Sequence, residues 1–259
     1  MGRRAENRQG LVAVLDALGA STYSDRQVER FIDARAQVLG SLHQAADDFE
    51  IDGKRGELEG TRLSTFTFGD TLLVAYASDG DLSAAILVRF FALVRQFLYE
   101  SLLNDMLFRG AIGVGTFFVD DSSNTVMGEA VSDAAAWYEA ADWIGAIATP
   151  RTSLLIEKLM GPGTPKKRWA VLEYDVPLKG NQFRKLKCVN WPKVFLIERM
   201  RPQGSHRDPR VRMLECLTKN AMPVGTESKY TNSVAFFDYS TGLESTQPQP
   251  KVAIPKSAG

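Results

Sequence analysis

The sequence predicts an α+β fold in which the first six elements follow the order β-α-β-β-α-β. Three patterns lead to this prediction: a short apolar strand, a long amphipathic helix, and two strand-like runs separated by a two-residue turn. A second helix and another strand complete the six, and a third helix with further strands follows. We find no internal repeat in the chain.

The first strand is predicted at Leu11–Leu15, a run of apolar residues that ends at Asp16. From Arg26 to Phe49, apolar residues recur every three or four positions, which predicts an amphipathic helix. Arg35 is the exception on its apolar face. The polar, glycine-containing segment Asp52–Gly60 that follows is predicted to be a loop.

A hairpin is predicted next, with strands at Arg62–Phe68 and Thr71–Ala77. Gly69 and Asp70 between them suit a type II′ turn, because that turn requires a positive φ at its first central residue. The remaining patterns predict helices at about Asp81–Leu103, Ala130–Trp143, Pro150–Gly161 and Pro209–Asn220, and strands at Phe108–Val119, Trp169–Asp175 and Leu186–Glu198.

Together these elements match the split-βαβ pattern of ferredoxin-like folds. Pro162–Arg168 reads as a basic linker, and the polar, proline-rich segment Ser240–Gly259 as a loose tail. We therefore expect one main domain at residues 8–200 and a C-terminal extension at 201–259 that packs on it.

The chain carries 31 basic and 31 acidic residues, so its formal charge of zero argues against a generally cationic nucleic-acid-binding protein. Its apolar runs are too short to span a membrane, and it starts without a signal peptide. Two cysteines form no disulfide framework, so a cytoplasmic location is expected. With only two histidines, a histidine zinc site or a histidine-dependent triad is not expected.

Two aspartates are candidates for metal binding. Asp16 ends the first strand and Asp70 lies at the hairpin tip, and the first strand of such a unit can lie beside the hairpin. Two carboxylates could then hold Mg²⁺ or Mn²⁺ together with phosphate oxygens, and the backbone N–H groups of Gly19–Ser21 could contact the phosphates. The alternative is that Asp16 caps a strand and Asp70 is an ordinary turn residue.

Four motifs in this order resemble the catalytic domain of class III nucleotide cyclases. They are Asp16 with Gly19 and Ser21, Phe68–Thr71, Arg109–Gly115 and Gly128–Val131. The resemblance implies a homodimer with its sites at the subunit interface and two Mn²⁺ or Mg²⁺ ions per site. It places metal ligands at Asp16, Asp70 and the carbonyl of Ala17, and a phosphate loop at Leu18, Gly19, Ala20 and Ser21. The ribose 3′-hydroxyl of a nucleoside triphosphate would attack the α-phosphorus, and pyrophosphate would leave.

The sequence departs from that family at the base-reading positions. Phe66 stands where purine-specific relatives have Lys or Glu, and it offers no polar group to a purine edge. Thr125 occupies the second position, where its hydroxyl suits uracil and cytosine equally. Phe66 and Thr125 are therefore predicted to bind a pyrimidine base, although Phe66 could instead be a packing residue.

The family's transition-state Asn and Arg fall on Ser132 and Ala136, which cannot replace them. Arg109 or Arg184 is the predicted substitute, and we name Arg109 with Asp16 and Asp70 as catalytic. Lys179 matches a family lysine that reaches the triphosphate. The alternative is that these three basic residues are solvated surface groups.

Within the family, the segments Val126–Ala134 and Trp143–Pro150 are most similar to the Pycsar pyrimidine cyclases of bacterial antiphage defence. This resemblance implies a uridylate cyclase, with cytidylate as the alternative, whose product acts on a separate cyclic-nucleotide-binding effector. A purine cyclase and a catalytically silent nucleotide-binding scaffold are the other hypotheses. A nucleic-acid-binding module is poorly supported, because the phenylalanine-rich strand lacks the signature of an RNA-stacking sheet.

Overall fold

The computed structural model describes residues 6–47, 60–120, 123–161, 170–201, 204–219 and 222–242. The strands are β1 (Glu6–Ala17), β2 (Thr61–Phe68), β3 (Thr71–Ser78), β4 (Phe108–Asp120), β5 (Thr125–Gly128), β6 (Gly145–Ala148), β7 (Val171–Leu178) and β8 (Gln182–Val189). The helices are α1 (Asp25–Asp47), α2 (Ala84–Leu103), α3 (Glu129–Trp137), α4 (Pro150–Met160), α5 (Lys193–Met200), α6 (Pro209–Thr218) and α7 (Glu227–Thr241), with a short 3₁₀ helix at Ala20–Thr22.

The eight strands form one sheet in the order β2-β3-β1-β4-β6-β8-β7, and β5 pairs with β4 outside this path. All of these neighbours are antiparallel except β4 and β6, which run parallel. The first six elements follow the order β1-α1-β2-β3-α2-β4, and the predicted α+β class is confirmed. The assignment to the ferredoxin-like folds stays a prediction.

Alternating residues of β1 point into two apolar clusters on opposite faces of the sheet. Leu11, Ala13 and Leu15 belong to the large core cluster that also contains the buried residues of α1 and α2. Val12 and Val14 belong to a second, smaller cluster, which α3 covers through Ala130 and Ala134. β1 is therefore covered on both faces, which explains why it is apolar at nearly every position.

The predicted hairpin is confirmed as β2 and β3. Gly69 has a φ of 61°, while Asp70 is outside the positive-φ region, as a type II′ turn requires. The hairpin turn holds Asp70 at the connected ends of β2 and β3.

The start of α4 is confirmed as well, because the Thr149 hydroxyl accepts a 3.2 Å hydrogen bond from the N–H of Thr152 and Pro150 is the first helical residue.

The helix predicted at Ala130–Trp143 is shorter than expected and ends at Trp137. The chain leaves the helix because the β7–β8 hairpin binds its backbone. The N–H of Asp142 donates to the carbonyl of Pro177, and the N–H of Lys179 donates to the carbonyl of Ala140, each at 2.9 Å. These hydrogen bonds hold the segment after α3 beside the hairpin.

The strand predicted at Leu186–Glu198 is wrong beyond residue 189, because the chain forms α5 there. Pro192 has no N–H for a strand ladder and a φ of −60° that suits a helix start, so the strand cannot continue through it. The strands β5 and β6 and the helix α7 were not predicted. The linker at 162–168 and most of the predicted loop at 52–60 and tail at 240–259 lie outside the described residues. The prediction of a tail is wrong at Ser240 and Thr241, which belong to α7.

The described part of the C-terminal extension contributes apolar side chains to the large core cluster. These include Met213 and Leu217 from α6 and Phe236 and Phe237 from α7. The division into residues 8–200 and 201–259 stays a prediction. Among the described helices, none has both the length and the apolar character needed to cross a membrane.

The close contact between α3 and β4 predicts that Gly113→Ala destabilises the fold. A Cβ at Gly113 would lie 2.3 Å from the carbonyl oxygen of Ala130 and 2.7 Å from the amide nitrogen of Ala134. Since both are backbone atoms, α3 must move, and we expect the free energy of unfolding to fall by about 1–3 kcal/mol. Thermal unfolding measures this loss as a lower melting temperature.

Gly40→Ala is the matched control, because a Cβ there has no atom within 4 Å and Gly40 lies within α1. Alanine is the better helix former, so the free energy of unfolding of this variant should rise by about 0.5–1 kcal/mol. An unchanged melting temperature for Gly113→Ala would contradict the packing of α3 on the sheet.

Candidate active site

Asp16 lies where β1 is paired with both of its neighbours. Its Cα is opposite Arg109 of β4 on one side and opposite Thr71 of β3 on the other. Its side chain is on the same face of the sheet as Val12 and Val14, the face that α3 covers, and it is 17% exposed. The end of an apolar strand thus holds a partly buried carboxylate between a guanidinium and a hydroxyl.

Arg109 forms the main contact of that carboxylate. Its Nε and Nη2 atoms both donate to Oδ2 of Asp16, at 3.2 Å and 3.0 Å, while the hydroxyl of Thr71 lies 3.5 Å from Oδ1. The side chain of Arg109 is only 10% exposed, so this ion pair is shielded from solvent on most sides. The guanidinium of Arg109 is therefore already bound to one carboxylate oxygen of Asp16, the predicted metal ligand.

Asp70 is brought next to Asp16 through the backbone. The N–H of Ala17, the residue after Asp16, donates to the carbonyl of Asp70 at 3.2 Å. The two predicted metal-binding aspartates therefore lie on neighbouring strand ends.

Arg35 fixes the hairpin tip from α1. Its Nη1 atom donates to the carbonyl of Gly69 at 2.6 Å, and its guanidinium lies 5.1 Å from the centre of the Phe31 ring. Burial lowers the pKa of Arg35, and the negative charge of Asp70 acts in the opposite direction. The only sequence signal for this contact was that Arg35 interrupts the apolar face of its helix.

The predicted phosphate loop, Leu18–Ser21, follows directly after Ala17, the last residue of β1. The N–H of Leu18 donates to the carbonyl of Leu107 at 2.7 Å, and Gly19 has a φ of 81°, which disfavours any residue with a Cβ. The 3₁₀ helix then begins, with the N–H of Thr22 donating to the carbonyl of Gly19 at 3.0 Å. The loop is thus anchored to the residue that precedes β4, the strand that carries Arg109.

Glu139 joins the site although no sequence pattern indicated it. Its Oε1 atom lies 3.3 Å from Nη2 of Arg109, and its Oε2 atom lies 3.4 Å from Nζ of Lys179. The ammonium of Lys179, and then the guanidinium of Arg109, lower the pKa of Glu139. Asp16, Arg109, Glu139 and Lys179 therefore form one line of alternating charges.

The predicted base-binding residues are not at this cluster. Phe66 is 1% exposed and packs in the second apolar cluster with Val12, Val14 and Phe117. A base could contact it only if its covering side chains moved, so its burial favours the packing alternative. Phe66 therefore fills space in the second apolar cluster and presents no exposed ring to a base.

Thr125 lies at the far end of β4 from Arg109. It pairs with Asp120, eleven residues beyond Arg109, which corresponds to roughly 35 Å along a strand. Its hydroxyl accepts from Ser123 Oγ at 2.9 Å and lies 3.1 Å from the Ser123 carbonyl. One chain therefore does not bring Thr125 and Asp16 to the same nucleotide.

Three further positions named from the sequence, Arg184, Ser132 and Ala136, are not part of the charged cluster. Arg184 is exposed on β8, where it donates to the carbonyl of its neighbour Phe183 at 3.1 Å, and none of the ion pairs described joins it to the cluster. Of the two predicted arginines, Arg109 is the one at the site. Ser132 and Ala136 are exposed on the outer face of α3, away from the sheet beneath that helix.

The side chains of this site could hold a divalent cation only if a bound molecule supplied further oxygen ligands. The donors are hard oxygen atoms, the carboxylates of Asp16 and Asp70 and the nearby carbonyl of Ala17, which suit Mg²⁺ or Mn²⁺. Within the described ranges, however, no group of three or more His, Cys, Asp or Glu side chains converges. Further oxygen ligands, such as those of a phosphate, would have to complete the coordination.

Comparison with known proteins adds little. No family model matches the sequence, and no curated protein matches it. Among solved structures, 37 chains match; one of them, described as the crystal structure of the guanylyl cyclase Cya2, matches with a TM-score of 0.42 and 10% identity, covering 73% of this chain and 93% of that chain. A match at this level carries no information about the residues of the site or the reaction.

Proposed function

We propose that this chain is a metal-dependent nucleotidyl cyclase, which converts a nucleoside triphosphate to its 3′,5′-cyclic monophosphate and pyrophosphate. The observation that carries the proposal is the meeting of Asp16 and Asp70 on adjacent strand ends, beside the glycine turn at Leu18–Ser21. Its motifs also resemble those of class III cyclases in the same order along the chain. Two aspartates on neighbouring strand ends beside a glycine turn supply hard oxygen ligands of the kind that Mg²⁺ or Mn²⁺ uses in nucleotide chemistry.

Each residue of the cluster has a role in this reaction. Asp16 and Asp70 would hold two Mn²⁺ or Mg²⁺ ions, which supply charge stabilisation for the attacking and leaving oxygens when bound. Arg109 would turn from Asp16 to the phosphates, where a guanidinium can donate to two oxygens at once. Lys179 would contact the far end of the triphosphate from the β7–β8 hairpin.

The distance between the two ends of β4 supports the homodimer that we propose. Because Asp16 and Thr125 are separated by roughly 35 Å along that strand, a site that uses both needs two copies related by a two-fold axis, so that the end of β4 in one copy lies near Asp16 of the other. The exposed positions of Ser132 and Ala136 on α3 would face the partner in such an arrangement. Two equivalent sites per dimer result.

We further propose that the substrate is a pyrimidine nucleotide, with UTP favoured over CTP, and that the product is a second messenger in antiviral defence. Support for the pyrimidine comes from the sequence alone, since position 66 holds Phe in place of a purine-reading Lys or Glu, while Phe66 itself is buried in the second apolar cluster. The effector that responds to the product would be a separate protein. An adenylate cyclase that reads its base through other residues is the alternative within this reaction class.

A catalytically silent nucleotide-binding scaffold is the second candidate, and two observations favour it. The positions expected to carry a transition-state Asn and Arg hold Ser132 and Ala136. In addition, Arg109 is bound to Asp16 and would have to leave it before a cation could use that oxygen. Metal-dependent nucleotide binding without turnover would identify the scaffold.

Turnover of ATP, GTP, CTP and UTP, each alone with Mn²⁺, tests the proposal when the product mass is determined. We expect a cyclic pyrimidine monophosphate, with cyclic UMP as the main product. A cyclic purine would keep the carboxylate site and overturn the interpretation of Phe66. If every triphosphate binds and none is converted, the cyclase proposal is wrong.

A further inference from the structure

Glu139 lies between two cationic side chains that come from different parts of the chain. One of its oxygens is 3.3 Å from Nη2 of Arg109, and the other is 3.4 Å from Nζ of Lys179. The phenol of Tyr138 forms a further hydrogen bond to the same carboxylate. Each oxygen of this carboxylate thus has a different cation as its partner.

The chain segments that carry the two cations are each held in place by other contacts. Lys179 enters from the β7–β8 hairpin, whose hydrogen bonds to Ala140 and Asp142 fix it beside the segment that carries Glu139. Arg109 is fixed by its place in β4 and by its two hydrogen bonds to Asp16. The spacing of the two cations therefore does not depend on Glu139 alone.

Solvent reaches this group from the side of Glu139 and Lys179. Their side chains are 51% and 53% exposed, whereas Arg109 is 10% exposed. An anion from solution can therefore approach the two cations from the position that the carboxylate now occupies. An exposed carboxylate is ionised at neutral pH, and the two neighbouring cations lower the pKa of Glu139 further, so its charge competes with such an anion.

We propose that Glu139 is an internal occupant of a polyphosphate-binding position formed by Arg109 and Lys179, and that a polyphosphate displaces it. An ionised carboxylate there contacts both cations through its two oxygens, as two phosphate oxygens would, until the anion arrives. The identity of the polyphosphate as part of a nucleotide rests on the proposed function. The displacement itself rests only on the geometry of the three side chains.

Displacement would also affect Asp16. A phosphate that draws Arg109 toward itself weakens the hold of the guanidinium on Oδ2 of Asp16, and that oxygen then becomes open to a cation. Binding of the anion and of the cation would thus favour each other. Glu139 is a positioning residue in this scheme, since it acts through Arg109 and Lys179.

Binding of inorganic tripolyphosphate to the full chain, measured by calorimetry with EDTA present and at low salt, tests the proposal. We expect Glu139→Gln to bind at least about threefold more tightly than the wild type, because the competing charge is gone while both cations remain. Adding Lys179→Gln to this variant should remove the gain. The titration needs neither metal nor turnover, so its result is separate from that of the cyclase assay.

Glu173→Gln is the matched control. Glu173 is 49% exposed and also joins two cations, Lys187 at 3.6 Å and Lys185 at 4.0 Å, but it lies on β7 outside the cluster. We expect its affinity for tripolyphosphate to equal that of the wild type. An equal gain in this control, no gain in Glu139→Gln, or no binding to either protein would each overturn the proposal.

Discussion

Asp16→Asn is expected to lower the turnover of the preferred triphosphate about 100-fold or more, while the protein stays folded. The amide keeps the shape of the side chain and can still accept a hydrogen bond from Arg109, but it cannot neutralise a divalent cation. We expect the free energy of unfolding to fall by only roughly 1–3 kcal/mol, because Arg109 keeps its contact with Glu139. Turnover with Mn²⁺ and thermal unfolding measure the two effects.

Asp175→Asn is the control for this prediction, because Asp175 is an exposed aspartate on β7. It should keep wild-type turnover and stability. Turnover of Asp16→Asn within tenfold of the wild type would rule out Asp16 as a metal ligand.

Asp70→Asn should cause a similar loss of turnover with little change in stability. Asparagine suits turns as well as aspartate does, so the hairpin tip and its contact with Arg35 are retained. If Asp16 and Asp70 act as one unit on the same ions, the double variant should be no slower than the slower single variant. Comparison of the three turnover rates tests this non-additivity.

Asp208→Asn is the matched control here. Asp208 also holds a local backbone structure, since its side chain accepts a 3.0 Å hydrogen bond from the N–H of Val211 at the start of α6. Asparagine is an equally good N-cap, so both activity and melting temperature should persist. If Asp70→Asn retained full activity, the hairpin tip would have only a structural role.

The sequence was most informative where one pattern determines one structure. Apolar periodicity located β1, α1 and α2, and the Gly69-Asp70 pair between two strand-like runs located the hairpin and its turn type. These features depend on neighbours within a few residues. The same local signals placed Asp16 and Asp70 at strand ends, and the pairing of β1 with β3 is what brings those ends together.

Features that depend on distant contacts were missed. α3 ends early because the β7–β8 hairpin binds the chain after it, and no residue within the helix signals that contact. Glu139 is near Arg109 for the same reason. Phe66 differs, because its pattern fits either a base pocket or a core, and only the packing around β2 shows its burial.

The most direct test of the account is the number of Mn²⁺ ions bound per chain in the presence of a non-reactive UTP analogue. Electron paramagnetic resonance of free Mn²⁺ gives this number for the wild type, Asp16→Asn and Asp70→Asn. We expect two ions per chain in the wild type and a clear loss in both variants. Equal Mn²⁺ binding in all three proteins would contradict the claim that these two carboxylates form the metal site.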